Sequence, residues 1–241
     1  DYAKKHYIKS GAYNYDDYPN AIDPTVFYDR DGKMWMVYGS WSGGIFLLEI
    51  DPSTGLVIHP DMDEANNVDA YYGKRLLGGG HISIEGPYIM YDESTDYYYL
   101  FVSYGSLTSN GGYQIRVFRS KTVDGEYVDM NDAYPEKSAM HENFGLKLSG
   151  NYKLPSLERA YMATGHNSAF IDSDGKSYIV YHTRFNDGTE NHSPRVHQII
   201  MNAEGWPCEL PYQTQGETVS STGYSKDEVL GRYYIINQGT D

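Results

Sequence analysis

Hydrophobic and polar residues alternate along this chain in short runs, each closed by Gly, Asp, Asn or Pro. Period-two alternation between turn residues predicts β-strands, and no long stretch carries the 3.6-residue period of an amphipathic helix. Three stretches share one form: "DPTVFYDRDGKMWMVYGSW" from residue 23, "GPYIMYDESTDYYYLFVSYG" from 86 and "HNSAFIDSDGKSYIVYHTRF" from 166. Each reads as strand, turn, strand. A third apolar strand follows in every case, "GIFLLEID", "YQIRVFRS" or "RVHQIIMN". In the first and last copies the turn is "DRDGK" or "DSDGK", where Asp-Gly supplies the positive φ of a tight hairpin. The remaining ligands and the closing Glu of a calcium loop are missing, so these are turns.

The repeat predicts an all-β fold of antiparallel sheets stacked radially, a β-propeller, with a sandwich as the alternative. Propellers typically close with ~4 to 8 blades, so about three blades are expected here with the rest of the ring elsewhere. On this reading residues 1–19 are the tail of a preceding blade or a linker. Residues 20–210 supply the blades, and 211–241 begin a C-terminal β domain or tail.

Composition narrows the partners. The 19 basic and 33 acidic residues give a net charge of −14, which repels nucleic acid and anionic lipid and leaves neutral ligands. No run of 18 or more apolar residues is long enough for a membrane span. Cys208 is the only cysteine, which excludes a disulfide framework and reads as a small packed side chain. The 26 tyrosines suit strands and also the apolar faces of sugars.

Candidate chemistry sits just ahead of the repeated hairpins. Asp23 and His166 each lie six residues before a turn aspartate (Asp29, Asp172), whereas Glu85 lies seven before Asp92. One residue of offset swings a regular strand's side chain to the opposite face, so "EGP" must bend locally at Gly86 and Pro87. Strand starts of a propeller gather at one mouth of the channel, where two carboxylates and an imidazole would converge. Paired carboxylates divide acid and base work between them. Apolar Ile84, Pro87 and Tyr88 beside Glu85 are expected to disfavour its charged form and keep its proton on.

The stretches "NAIDP" (20–24), "EGPYI" (85–89), "GHNSAF" (165–170) and "HTRF…HSPRVHQIIMNAEGWP" (182–207) resemble glycoside hydrolase family 43, and the last two resemble its endo-arabinanase branch. The resemblance covers residues 20 to about 210. It implies a five-bladed β-propeller and inverting hydrolysis of α-1,5-linked arabinofuranosyl chains, hence arabinan or arabino-oligosaccharide as partner. It implies Glu85 as general acid, Asp23 as the carboxyl that tunes and orients it, and His166 as the histidine facing a water-rich calcium ion. No residue matches the family's general base, which is expected in an N-terminal remainder of the same propeller. Asp16 and Asp17 lie in a Tyr-rich stretch and do not replace it, so the chain alone is expected to be inactive. Asn20, Ser40, Trp41 and Ser83 are expected to meet substrate, Trp41 as a stacking platform. A secreted, cell-surface or periplasmic location follows from the substrate. The alternatives are a family 43 xylosidase or arabinofuranosidase and a glycan-binding propeller without catalysis.

Overall fold

The computed structural model describes residues 2–135, 137 and 143–236. The chain opens with a short helix, α1 (Tyr2–His6), and a small hairpin of β1 (Ile8–Lys9) and β2 (Ala12–Tyr13). Three antiparallel sheets follow in chain order. The first holds β3 (Thr25–Tyr28), β4 (Met34–Tyr38), β5 (Ile45–Ile50), β6 (Val57–Ile58), β7 (Val68–Asp69) and β8 (Gly73–Leu77). The second is the meander β9 (Ile84–Asp92), β10 (Tyr97–Tyr104), β11 (Gln114–Ser120) and β12 (Leu146–Ser149). The third is the meander β13 (Tyr161–Ile171), β14 (Ser177–Phe185), β15 (Ser193–Met201) and β16 (Pro207–Glu209). The leading strands adjoin across sheets, β9 lying against both β3 and β13. The sheets therefore fan out from a common line in a propeller-type arrangement.

Alternation along the middle sheet explains how the fan coheres. On β10, Tyr98, Leu100, Val102 and Tyr104 face a core shared with Val37, Ile45, Leu47, Leu76 and Leu77 of the first sheet. Tyr99 and Phe101 face a second core with Ala169, Ile179, Tyr181 and Ile199 of the third. Each buried large side chain contributes about 1.5–3 kcal/mol, so one strand of period two stabilises two interfaces at once. Burying tyrosine requires a partner for its hydroxyl. Tyr127 donates to the Val123 carbonyl at 2.9 Å and Tyr181 to Glu209 at 2.6 Å.

The hairpins form where the repeat put them. Asp29 accepts backbone N–H bonds from Asp31 and Lys33, both 2.9 Å, and Asp92 one from Ser94 at 2.8 Å. These carboxylates close their own turns. The N-terminal segment rests on the first sheet: the Tyr7 ring packs edge-on against Tyr18 and Tyr72, with centroids 4.7 and 5.0 Å away. Beyond residue 210 the described residues carry α2 (Lys226–Val229) and no strand. Cys208 departs from expectation: it is exposed, because on the last strand β16 alternation turns it outward beside buried Pro207.

Candidate active site

The site forms where the three sheets meet. Asp23 precedes β3, Ser40 and Trp41 follow β4, Glu85 is the second residue of β9 and His166 lies within β13. The bend required at "EGP" is present: Gly86 has φ +58°, and the β9–β10 register slips between Phe101 and Ser103. Ile84 points into the first core, so alternation turns Glu85 away from it.

Glu85 meets donors there. Its Oε1 accepts a hydrogen bond from the Tyr113 hydroxyl at 2.6 Å. Its Oε2 accepts one from the Trp41 indole N–H at 2.9 Å and one from the Ser40 hydroxyl at 3.2 Å. The dry surroundings expected from Ile84, Pro87 and Tyr88 are thus replaced by three donors converging from two sheets. Trp41 is held there by its backbone N–H, which donates to the Ile84 carbonyl at 2.8 Å. Its indole N–H is committed to Glu85, and its ring lies 5.7 Å from that of His81.

Asp23 stands beside this carboxylate. Its Oδ2 accepts the Gly86 N–H at 3.3 Å, and its Oδ1 lies 4.0 Å from His166 Nε2. Burial pushes the Asp23 carboxyl above the usual range; His166 and the Gly86 N–H oppose the shift and the Glu85 charge adds to it. Gly86 is favoured on two counts. Its φ is positive, and a Cβ there would come within 3.3 Å of the His166 ring.

Backbone strain gathers at this opening. Asp23 (φ +55°), Trp41 (+55°), His81 (+58°) and His166 (+49°) all adopt left-handed conformations, which cost non-glycine residues about 1–3 kcal/mol each. The His166 N–H donates to the Ser103 hydroxyl at 2.7 Å, which fixes its turn.

Of the residues singled out in the sequence, the fold brings Asp23, Ser40, Trp41, Glu85 and His166 together. Two stand apart. Asn20 is exposed on the turn leading to Asp23, and the Ser83 hydroxyl is occupied by the Gly105 carbonyl at 2.7 Å. Asp16 and Asp17 are paired with Lys9 and Lys137. Arg184 pairs with Glu190 at 2.7 Å, and the same carboxylate accepts the Ser109 N–H from the neighbouring sheet at 2.9 Å. Tyr113 and Ser103 carried no motif; only Gly111 and Gly112, just before Tyr113, hint at a special approach.

Calcium takes six to eight oxygen ligands. Among the described residues no group of three or more His, Cys, Asp or Glu side chains is gathered for a metal. His166 offers one imidazole, so only an ion whose shell is mainly water is compatible with this donor set.

Two neighbouring carboxyls where antiparallel sheets meet suit proton-transfer chemistry. The profile of glycosyl hydrolases family 43 matches residues 2–207, and the chain belongs to that family. It is 43% identical to the extracellular endo-α-(1→5)-L-arabinanase 2 of Bacillus subtilis (strain 168), over 95% of this chain and 50% of that protein. It is 45% identical to the extracellular endo-α-(1→5)-L-arabinanase of Thermotoga petrophila, over 93% of this chain and 48% of that one. The crystal structure of the endo-1,5-α-L-arabinanase from Thermotoga petrophila RKU-1 superposes with a TM-score of 0.85 at 44% identity, covering 95% of this chain and 51% of that chain. The chain spans about half the length of these relatives.

Proposed function

We propose that this chain carries the acid half of an inverting glycosidase site for α-1,5-linked L-arabinofuranosyl chains. Glu85 is the general acid, and Asp23 orients it and tunes its ionisation. The observation that carries this reading is the Glu85 carboxyl fixed by Tyr113, Trp41 and Ser40 next to a second carboxyl whose ionisation is disfavoured. The arabinan substrate and an extracellular location rest on the named activity and location of the two relatives above 40% identity.

In the reaction Glu85 gives its proton to the departing glycosidic oxygen as the anomeric C–O bond breaks. A water on the opposite face of the sugar forms the new C–O bond and loses its proton to a base. Inversion sets the acid and base carboxyls ~6.5–9.5 Å apart, leaving room for that water. No residue of this chain matches the family's general base, and we assign the base to a further segment of a five-bladed ring. The described residues alone then protonate the leaving group without activating water. The same layout without a base would make a glycan-binding propeller, and a closed pocket would favour chain-end xylosidase or arabinofuranosidase action.

The test is cleavage of arabinan by the longest natural polypeptide containing this chain. Glu85→Gln is expected to lower kcat/KM by about 100- to 10,000-fold, the contribution of a positioned acid, with an unchanged melting temperature. Undiminished cleavage by that variant removes Glu85 from the acid role.

A further inference from the structure

The strongest contact at the site comes from a residue that neither the repeat nor the family motifs single out. Tyr113 is buried, and its hydroxyl lies 2.6 Å from Glu85 Oε1, the shortest of the three bonds to that carboxyl. Its ring occupies a built slot. Gly165 forms one wall, where a Cβ would come within 2.1 Å of a ring carbon. His182, paired with Gly165 across β13 and β14, lies beside it on the same sheet, its ring near-parallel to the phenol at 15° with centroids 5.8 Å apart.

The slot is uncharged. Burial, together with Arg184, His192 and His166, pulls the His182 imidazole down to about 4, so it stacks as a neutral plate at working pH. Burial and the Glu85 charge push the Tyr113 hydroxyl up, so it keeps its proton and serves as a donor. A donor aimed at one oxygen of a carboxyl strengthens as that group loses its own proton, because negative charge grows where the donor already points. A hydroxyl on a buried ring, held close against Gly165 and His182, needs no reorganisation at that moment.

We propose that Tyr113, seated against Gly165 and His182, is the positioning residue that aims the Glu85 carboxyl and stabilises the charge it acquires on proton transfer. This rests on Glu85 being the general acid. It predicts a dependence on the leaving group, since a substrate whose leaving group needs no proton bypasses the acid.

The experiment compares arabinan with a 2,4-dinitrophenyl α-1,5-arabinotrioside, using the longest natural polypeptide and its Tyr113→Phe variant. The expected result is a loss of about 10- to 100-fold in kcat on arabinan, no more than the ~100- to 10,000-fold that a positioned acid contributes in full, and a loss under about threefold on the activated substrate, with KM and melting temperature kept. Gly165→Ala, which drives the ring from its slot, is expected to show the same selectivity at lower stability. Equal losses on both substrates, or full activity on arabinan, overturn the positioning role. Glu85→Gln separates the two ideas. If it loses arabinan cleavage while Tyr113→Phe does not, only the positioning role fails; if Glu85→Gln keeps cleavage, the acid assignment fails with it.

Discussion

At the residue scale the site is a set of side chains held against their local preferences. Asp23 illustrates the consequence. Because burial holds its carboxyl above the unfolded value, the native state keeps a proton that the unfolded chain releases. Its contribution to stability is full below the ordinary carboxyl range and is lost as pH rises through the raised value. Asn cannot ionise and tolerates the left-handed φ of this position. Asp23→Asn is therefore expected to raise the melting temperature near pH 7, with the gain shrinking as pH falls through the raised value and gone by about 4, the range of an unperturbed Asp. Scanning calorimetry across pH checks this. A stability gain from removing a buried carboxyl is the usual trade at a strained site.

At the element scale β10 is the member on which the stack turns. It is buried on both faces, so truncation on either face opens a cavity between two sheets. Leu100→Ala is expected to cost about 2–5 kcal/mol in urea unfolding. Lys33→Ala, on an exposed hairpin where Lys33 pairs with Glu49 at 3.3 Å, should stay within about 0.5 kcal/mol. Comparable costs for the two variants would contradict the two-core description. The short strands β6, β7 and β16 have no such double role, and each lies at an edge of its sheet.

At the scale of the whole molecule, charge and architecture select the partner. A net charge of −14 disfavours polyanions and leaves a neutral polysaccharide unopposed. The hub, where three sheets bring Asp23, Glu85 and His166 together, is also where a hydrated cation would be drawn. Calcium is expected to raise the melting temperature of the full-length protein, and His166→Ala to lose that rise. A calcium-dependent rise that persists in the variant would move the ion away from this imidazole.

The hairpin pattern, the turn aspartates and the positions of Asp23, Glu85 and His166 were legible in the linear chain, because side-chain period and turn chemistry are local properties. The offset at Glu85 even announced a bend, which Gly86 supplies. The donor role around that carboxyl was not legible: Tyr113, just ahead of the third strand of its sheet, carried no motif, and Ser40 and Trp41, which follow a strand of another sheet, were read as meeting substrate rather than Glu85. Nor was the exposure of Cys208, which depends on β16 being an edge. Which polar group faces which is decided when sheets twist and stack, since contacts between residues far apart in sequence arise from the packing of whole faces and leave no periodic trace.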